Sequence, residues 1–295
     1  MSDGGPASEV VALGVGRLAL TVDPAFGARV LTLTDRNTGR QWLMEGTRAS
    51  DTSEEAAYLG DASRGWDECF PTVLSCHHAA WGGRLRDHGL LWGRPWEVVA
   101  VDDRRLEARF RGNGIDFSRA LTLDGSAVTA AYEVTSERDA AVPYLWSQHC
   151  VLSLAPEERI ALCGQGRIHA AGYAFDWPLH LDRDLSRVGT PDEDFSLKAY
   201  APTPGPASAE VRGQGGGLRF DWTGPEVPAV GVWLDYGEWP AGAPVHQVAL
   251  EPTTGEADDL VGAEAIGQAR WLEPGETHRW MVRLSVTDPD RGGEA

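Results

Sequence analysis

The chain has 295 residues, is 42% hydrophobic and carries a net charge of −18 at pH 7. That hydrophobic content argues against a disordered chain, and the length suffices for one large all-β domain or two smaller ones. The acidic balance argues against nucleic acid or anionic membrane as a partner, since both select for basic surfaces.

The first residues, "MSDGGPASEV", are acidic and polar, unlike a secretory signal. Residues 1–8 read as a loose end. "VVALGVGRLALTV" and "ARVLTLTDRNTGRQWLM" follow as short β-rich runs, with "DRNTGR" as a turn. "SEEAAYLGD" and, later, "PEERI" could each form a turn or two of helix. "GWDECFPTV", Gly65 to Val73, sets Asp67 and Glu68 between Trp66 and Phe70. Burying a carboxylate is costly unless it is paired or hydrogen-bonded, so these two acids need an explanation.

"RLEARF", "RALTLDG" and "AVTAAYEVTS" read as further strands. The stretch from about Leu185 to Ala209, rich in Pro and Asp, reads as a long exposed loop. "AEVRGQGGGLRFDW", "AVGVWLDY", "VHQVALEP" and "HRWMVRLSV" complete the set of strands, and residues 288–295 read as a second loose end. Many short strands at this spacing, without long helical periodicity or a clear linker, predict one all-β sandwich over residues 9–287.

No apolar run reaches the length of a membrane span. The four cysteines, Cys69, Cys76, Cys150 and Cys163, are too sparse for a disulfide framework. Without an export signal they read as reduced thiols in a cytoplasmic protein. Lys198 is the only lysine among 26 basic residues, which reads as a composition effect without functional meaning. The 12 tryptophans are mostly core filling, although Trp is also a stacking platform for flat apolar faces.

Several motifs are discounted. "GVGRLA" at 14–19 matches a loose dinucleotide pattern, but a strand follows it where a helix is required. "CHH" at 76–78 fits no zinc spacing, and no metal is expected. There is no nucleophile elbow or phosphate loop. What remains is a scattered polar set in apolar or aromatic surroundings: Asp67, Glu68, His88, His149 and Glu251. Singly, each is most simply a satisfied structural residue. Together they make an acid/base set able to move protons on a carbohydrate.

From about Val11 to Val286 the chain resembles the galactose mutarotase-like, or aldose 1-epimerase, superfamily. "VDPAFGARVLTLTDRNTGRQWL" is similar to the family's opening strands and Gly-Ala turn. "DHGLLWGRPWEV" resembles its His-Gly segment, "HCVLSL" its second-histidine segment, and "LEPTTG" the Glu-Pro segment carrying its carboxylate base. "LEPGETHRW" resembles the turn before its last strand. The resemblance implies a large single-domain β-supersandwich and anomer interconversion of a free sugar without a cofactor. Glu251 would take the proton from the anomeric hydroxyl, His149 would protonate the ring oxygen, and His88 would hydrogen-bond the sugar.

Trp66, Trp146, Gln148, Trp233 and Trp239 are candidate ligand contacts, with the tryptophans able to stack on the ring. Alternate residues of an extended segment point to opposite faces, so only one of Asp67 and Glu68 can face a ligand; Asp67 is taken as that sugar ligand. Glu68 is expected to be a structural partner, of an Arg for example. Departures from the family bear on the substrate. Leu91 and Trp92 stand where members acting on phosphorylated hexoses carry an Arg, and Leu152 stands where galactose-acting members carry an aromatic. The expected partner is a monosaccharide or small carbohydrate, and the expected state a monomer or homodimer. Two alternatives are a non-catalytic carbohydrate-binding or sensing protein on the same fold, and a different carbohydrate enzyme such as a lyase.

Overall fold

The computed structural model describes residues 9–162 and 166–289. Residues 1–8, Cys163 and most of the expected C-terminal loose end lie outside the described residues. Cys69, Cys76 and Cys150 are free thiols.

Two large antiparallel sheets dominate. The 11-stranded one runs Val11–Val15, Leu18–Asp23, Arg29–Asp35, Trp66–Cys69, Ser147–Leu152, His246–Thr253, Ala229–Tyr236, Phe195–Pro202, Arg167–Ala170, Tyr173–Asp176, with Arg40–Gln41 paired to Arg29–Asp35. The 8-stranded one runs Arg159–Leu162, Ala207–Gly213, Gly216–Trp222, Thr277–Thr287, Ala127–Ser136, Ile115–Asp124, Arg105–Gly112, Glu97–Val101. The expected all-β sandwich is therefore what forms. Hairpin turns fall where the sequence supplies them: Gly125, at φ +59°, closes the hairpin between Asp124 and Ala127, a backbone shape that favours glycine.

The core lies between the sheets. The Trp146 and Trp280 rings approach to 4.9 Å, and Tyr132 stacks on Trp280 at 5.5 Å. Glu68 lies in this layer. It accepts from the Trp66 and Trp146 indoles at 2.9 Å, from Arg119 at 2.8 Å and from the Tyr132 hydroxyl at 3.0 Å. Burial pushes its carboxyl up to about 7, against the pull of Arg119 and the other donors. Removing one partner of such a buried pair typically costs about 3–5 kcal/mol.

Two local expectations fail. Much of the presumed loop from Leu185 to Ala209 is ordered: Leu185 and Val188 are buried, and Phe195–Pro202 is an inner strand. Its alternation, "FSLKAYAP", was hidden behind the Pro- and Asp-rich flank. Neither "SEEAAYLGD" nor "PEERI" forms an α-helix; the first contributes to the short 3-10 turn Gly60–Ala62 and the second leads into the strand Arg159–Leu162. Among the described residues the α-helix is Leu260–Ala265, capped by Asp259 accepting from the Gly262 amide at 2.8 Å. No helix among them is long and apolar enough to cross a membrane.

Candidate active site

The 11-stranded sheet has a second face, turned away from the sandwich core, and the polar residues of its central strands line up there. Asp67 lies opposite His149 in the register of Trp66–Cys69 with Ser147–Leu152. The next pair of strands aligns Ser147 with Thr253 and Val151 with Ala249, so His149 and Glu251 fall opposite each other between them. Glu251 in turn lies opposite Gly231, and Gly231 opposite Tyr200. Directly opposed residues hold their Cβ atoms about 4.5–5.5 Å apart. One row across five strands thus reads Asp67, His149, Glu251, Gly231, Tyr200.

A cavity of about 260 Å³ sits on this row. His149, Glu251 and Lys198 form part of its wall, Tyr58 and His88 reach it from loops, and Trp233 and Trp239 meet edge to face with ring centroids 5.9 Å apart. Trp239 is 38% exposed, so its ring stands at the mouth. Of the sequence candidates, His88, His149, Glu251, Trp233 and Trp239 come together in the lining of this cavity. Sequence reasoning missed Tyr58, Lys198, Gln247 and Asp258, which line the same cavity.

Four candidates lie elsewhere. Trp66, Glu68, Trp146 and Gln148 belong to the inter-sheet core and do not line the cavity. Period-two alternation explains it: Gln148 pairs with Glu68 and Cys150 with Trp66 on the opposite face from the His149–Asp67 pair. Asp67 points to the cavity side of the sheet but is 1% exposed and does not line the cavity either. Its Oδ2 accepts from Arg29 Nε at 2.9 Å and Nη2 at 2.5 Å, and from the Tyr58 hydroxyl at 2.9 Å. Tyr58, which lines the cavity, is the cavity-side group bonded to it. The two acids of "GWDECFPTV" are therefore anchors, each held by its own arginine on its own side of the sheet.

His88 is fixed by backbone geometry. It takes φ +57°, uncommon for a residue with a side chain, and Gly89 follows at φ +72°. A Cβ at Gly89 would sit 2.0 Å from the Phe70 carbonyl oxygen, so only glycine fits. This explains the His-Gly pair physically. The His88 ring stacks on Tyr58 at 3.7 Å, with planes 8° apart, and its Nδ1 donates to Asp87 Oδ1 at 3.0 Å. Burial would raise the Asp87 carboxyl, but the bond from His88 leads the interactions that hold it below its ordinary range.

The charge states differ along the row. Burial pushes the His149 imidazole down to about 3; Glu251 opposes that shift, while His88 and Lys198 add to it. Its Nδ1 lies 3.4 Å from the Tyr58 oxygen. Since the Tyr58 proton goes to Asp67, Nδ1 is the protonated nitrogen and Nε2 carries the free lone pair. Burial alone would raise the Glu251 carboxyl, but Lys198 foremost, together with His149 and His88, holds the group below its ordinary range. Glu251 Oε2 accepts from Lys198 Nζ at 2.6 Å and from Ser147 Oγ at 3.1 Å. The cavity wall thus holds an ionised carboxylate opposite a neutral imidazole, with aromatic rings at its mouth.

No protein-family model and no curated protein matches the sequence. Solved structures do match in shape. An Escherichia coli K12 protein provisionally described as an aldose 1-epimerase aligns at 16% identity and a TM-score of 0.73, over 95% of this chain and 99% of its own. A galactose mutarotase related enzyme from Lactobacillus acidophilus aligns at 15% identity and 0.70, over 96% and 99%. A galactose mutarotase-like protein from Lactobacillus casei ATCC 334 aligns at 12% and 0.71, over 94% and 100%. Likeness at these identities speaks for architecture, and architecture alone does not fix an activity. The chain has the β-sandwich fold of these galactose mutarotase-like structures.

Proposed function

We propose that this protein is an aldose 1-epimerase-like isomerase that interconverts the anomers of a free, uncharged monosaccharide. One observation carries this: His149 and Glu251 oppose each other on adjacent strands in the wall of a cavity of about 260 Å³. Mutarotation needs one base and one acid within reach of a single hemiacetal, and no redox partner or leaving group.

Glu251 Oε1 takes the proton from the anomeric hydroxyl, while Oε2 stays with Lys198 and Ser147. The C1–ring-oxygen bond breaks, its electron pair goes to the ring oxygen, and the carbonyl forms at C1. His149, neutral at rest, first takes a proton from solvent at Nε2 and as imidazolium delivers that proton to the ring oxygen. Rotation about C1–C2 presents the other carbonyl face, and closure runs the transfers in reverse. His88 hydrogen-bonds a sugar hydroxyl, and Trp233 and Trp239 offer apolar faces to the ring. Lys198, the basic side chain among the described residues lining the cavity besides the histidines, is already bonded to Glu251, which favours a neutral sugar over a phosphorylated one.

The test is anomeric-proton NMR or polarimetry on fresh α-anomers of glucose, galactose, xylose, arabinose, fucose and rhamnose. Acceleration that Glu251→Gln and His149→Asn both abolish supports the proposal. Sugar binding without acceleration by the folded wild type moves the protein to a sensing or binding role.

A further inference from the structure

Lys198 and Glu251 are on strands that do not touch: Phe195–Pro202 and His246–Thr253 are separated by Ala229–Tyr236. A side chain normally meets its neighbour on the next strand, not the one beyond. Here the ammonium nevertheless lies 2.6 Å from Glu251 Oε2, across the position of Gly231. A Cβ built on Gly231 would stand 3.4 Å from Lys198 Nζ, 3.4 Å from Glu251 Cβ and 3.3 Å from Tyr200 Cε1. A branched side chain would project further, into the path of the lysine. The chain's only lysine is thus spent on this one contact.

Both donors to Glu251, Lys198 and Ser147, land on Oε2. Among the described residues no hydrogen-bond donor reaches Oε1. We propose that Lys198 is a positioning residue for Glu251, reaching over the side-chain-free Gly231 to clamp one carboxylate oxygen and leave the other facing the cavity. This rests on the proposed role of Glu251 as base and goes beyond it by assigning the residue and the gap that make the base usable.

The clamp has an electrostatic consequence. Glu251 is 1% exposed, and burial disfavours its ionised form. The titratable groups facing it are Lys198 and Tyr200 from one side, His149 from the other, Cys69 from the strand beyond, and His88 from its loop, while the Cys150 thiol lies on the core side of the sheet. The Tyr200, Cys69 and Cys150 groups are all raised, burial first among the causes, and are neutral. His149 is neutral as well. Among the groups that lower Glu251, Lys198 is the largest.

The experiment is a ¹³C NMR titration of protein labelled at the glutamate carboxyls, with Glu251 assigned by its loss in Glu251→Gln. Lys198→Met raises the Glu251 midpoint by about one to three units, and Lys198→Arg leaves it near the wild-type value. Gly231→Val keeps the charge but fills its path, and raises the midpoint in the same direction. In each variant that raises the midpoint, the pH below which kcat/KM falls moves up with it. A Glu251 midpoint unchanged in both Lys198→Met and Gly231→Val overturns the proposal. The titration needs no turnover, so a shifted midpoint in a protein that accelerates no sugar upholds the clamp and overturns the reaction class instead.

Discussion

Tyr58 lies flat against His88, with ring centroids 3.7 Å apart, and meets His149 edge-on at 5.1 Å. One aromatic side chain from a loop therefore sets the orientation of both cavity histidines, while its hydroxyl donates to the buried Asp67. Removing that hydroxyl in Tyr58→Phe leaves the stack but deprives Asp67 of a donor. A hydrogen bond to a charged group is worth about 1.5–3 kcal/mol. Urea denaturation should show a loss of that order, and kcat should fall by more than KM rises, because His149 loses the group that orders its ring.

Asp67 should behave as an anchor and not as a sugar ligand. Asp67→Ala leaves Arg29, which is fully buried, without its carboxylate. Such a broken pair costs about 3–5 kcal/mol. The expected result is a strongly lowered Tm with sugar affinity of the remaining folded protein close to wild type. Weakened binding at unchanged Tm would put Asp67 back among the ligands.

At the mouth, Trp239 is exposed enough to change without disturbing the core. Trp239→Ala should raise KM with little effect on kcat, by roughly fivefold if one stacking contact of about 1 kcal/mol is lost. Initial-rate polarimetry separates the two constants.

The pH dependence follows from His149. Its folded-state value is depressed to about 3 from an ordinary 6.5, so the unfolded chain binds the extra proton first. Its contribution to stability is present above about 6.5 and is lost as pH falls towards 3. His149→Asn should flatten the loss of stability over that window, measured by urea midpoints. Catalysis runs the other way. The acid form is the imidazolium, so kcat/KM should climb as pH falls from 8 to 5. A flat profile would remove His149 from the acid role.

The strands around Ala229–Tyr236 and Thr277–Thr287 were legible because alternation and turn residues mark them locally. The alternation rule also put Asp67 and Glu68 on opposite faces, and the arginine suggested as a partner of Glu68 is Arg119. The same rule could not say which face was the cavity. A residue buried among aromatics in the core and one lining a cavity have the same local pattern, so Trp66, Trp146 and Gln148 were placed with the ligand. Lys198 and Tyr58 were missed for a different reason. Their meaning comes from contacts 53 and 91 residues away, to Glu251 and His149, and nothing in "FSLKAYAP" or "SEEAAYLGD" announces them. A sole lysine was the one available signal.

The measurement that tests the central claim most directly is the rate of α-to-β conversion of a panel of free sugars, followed by anomeric-proton NMR. Wild type should accelerate at least one of them, and Glu251→Gln and His149→Asn, both folded, should return the rate to that of buffer. Acceleration that survives both substitutions would contradict the account, since proton transfer would then run through neither residue.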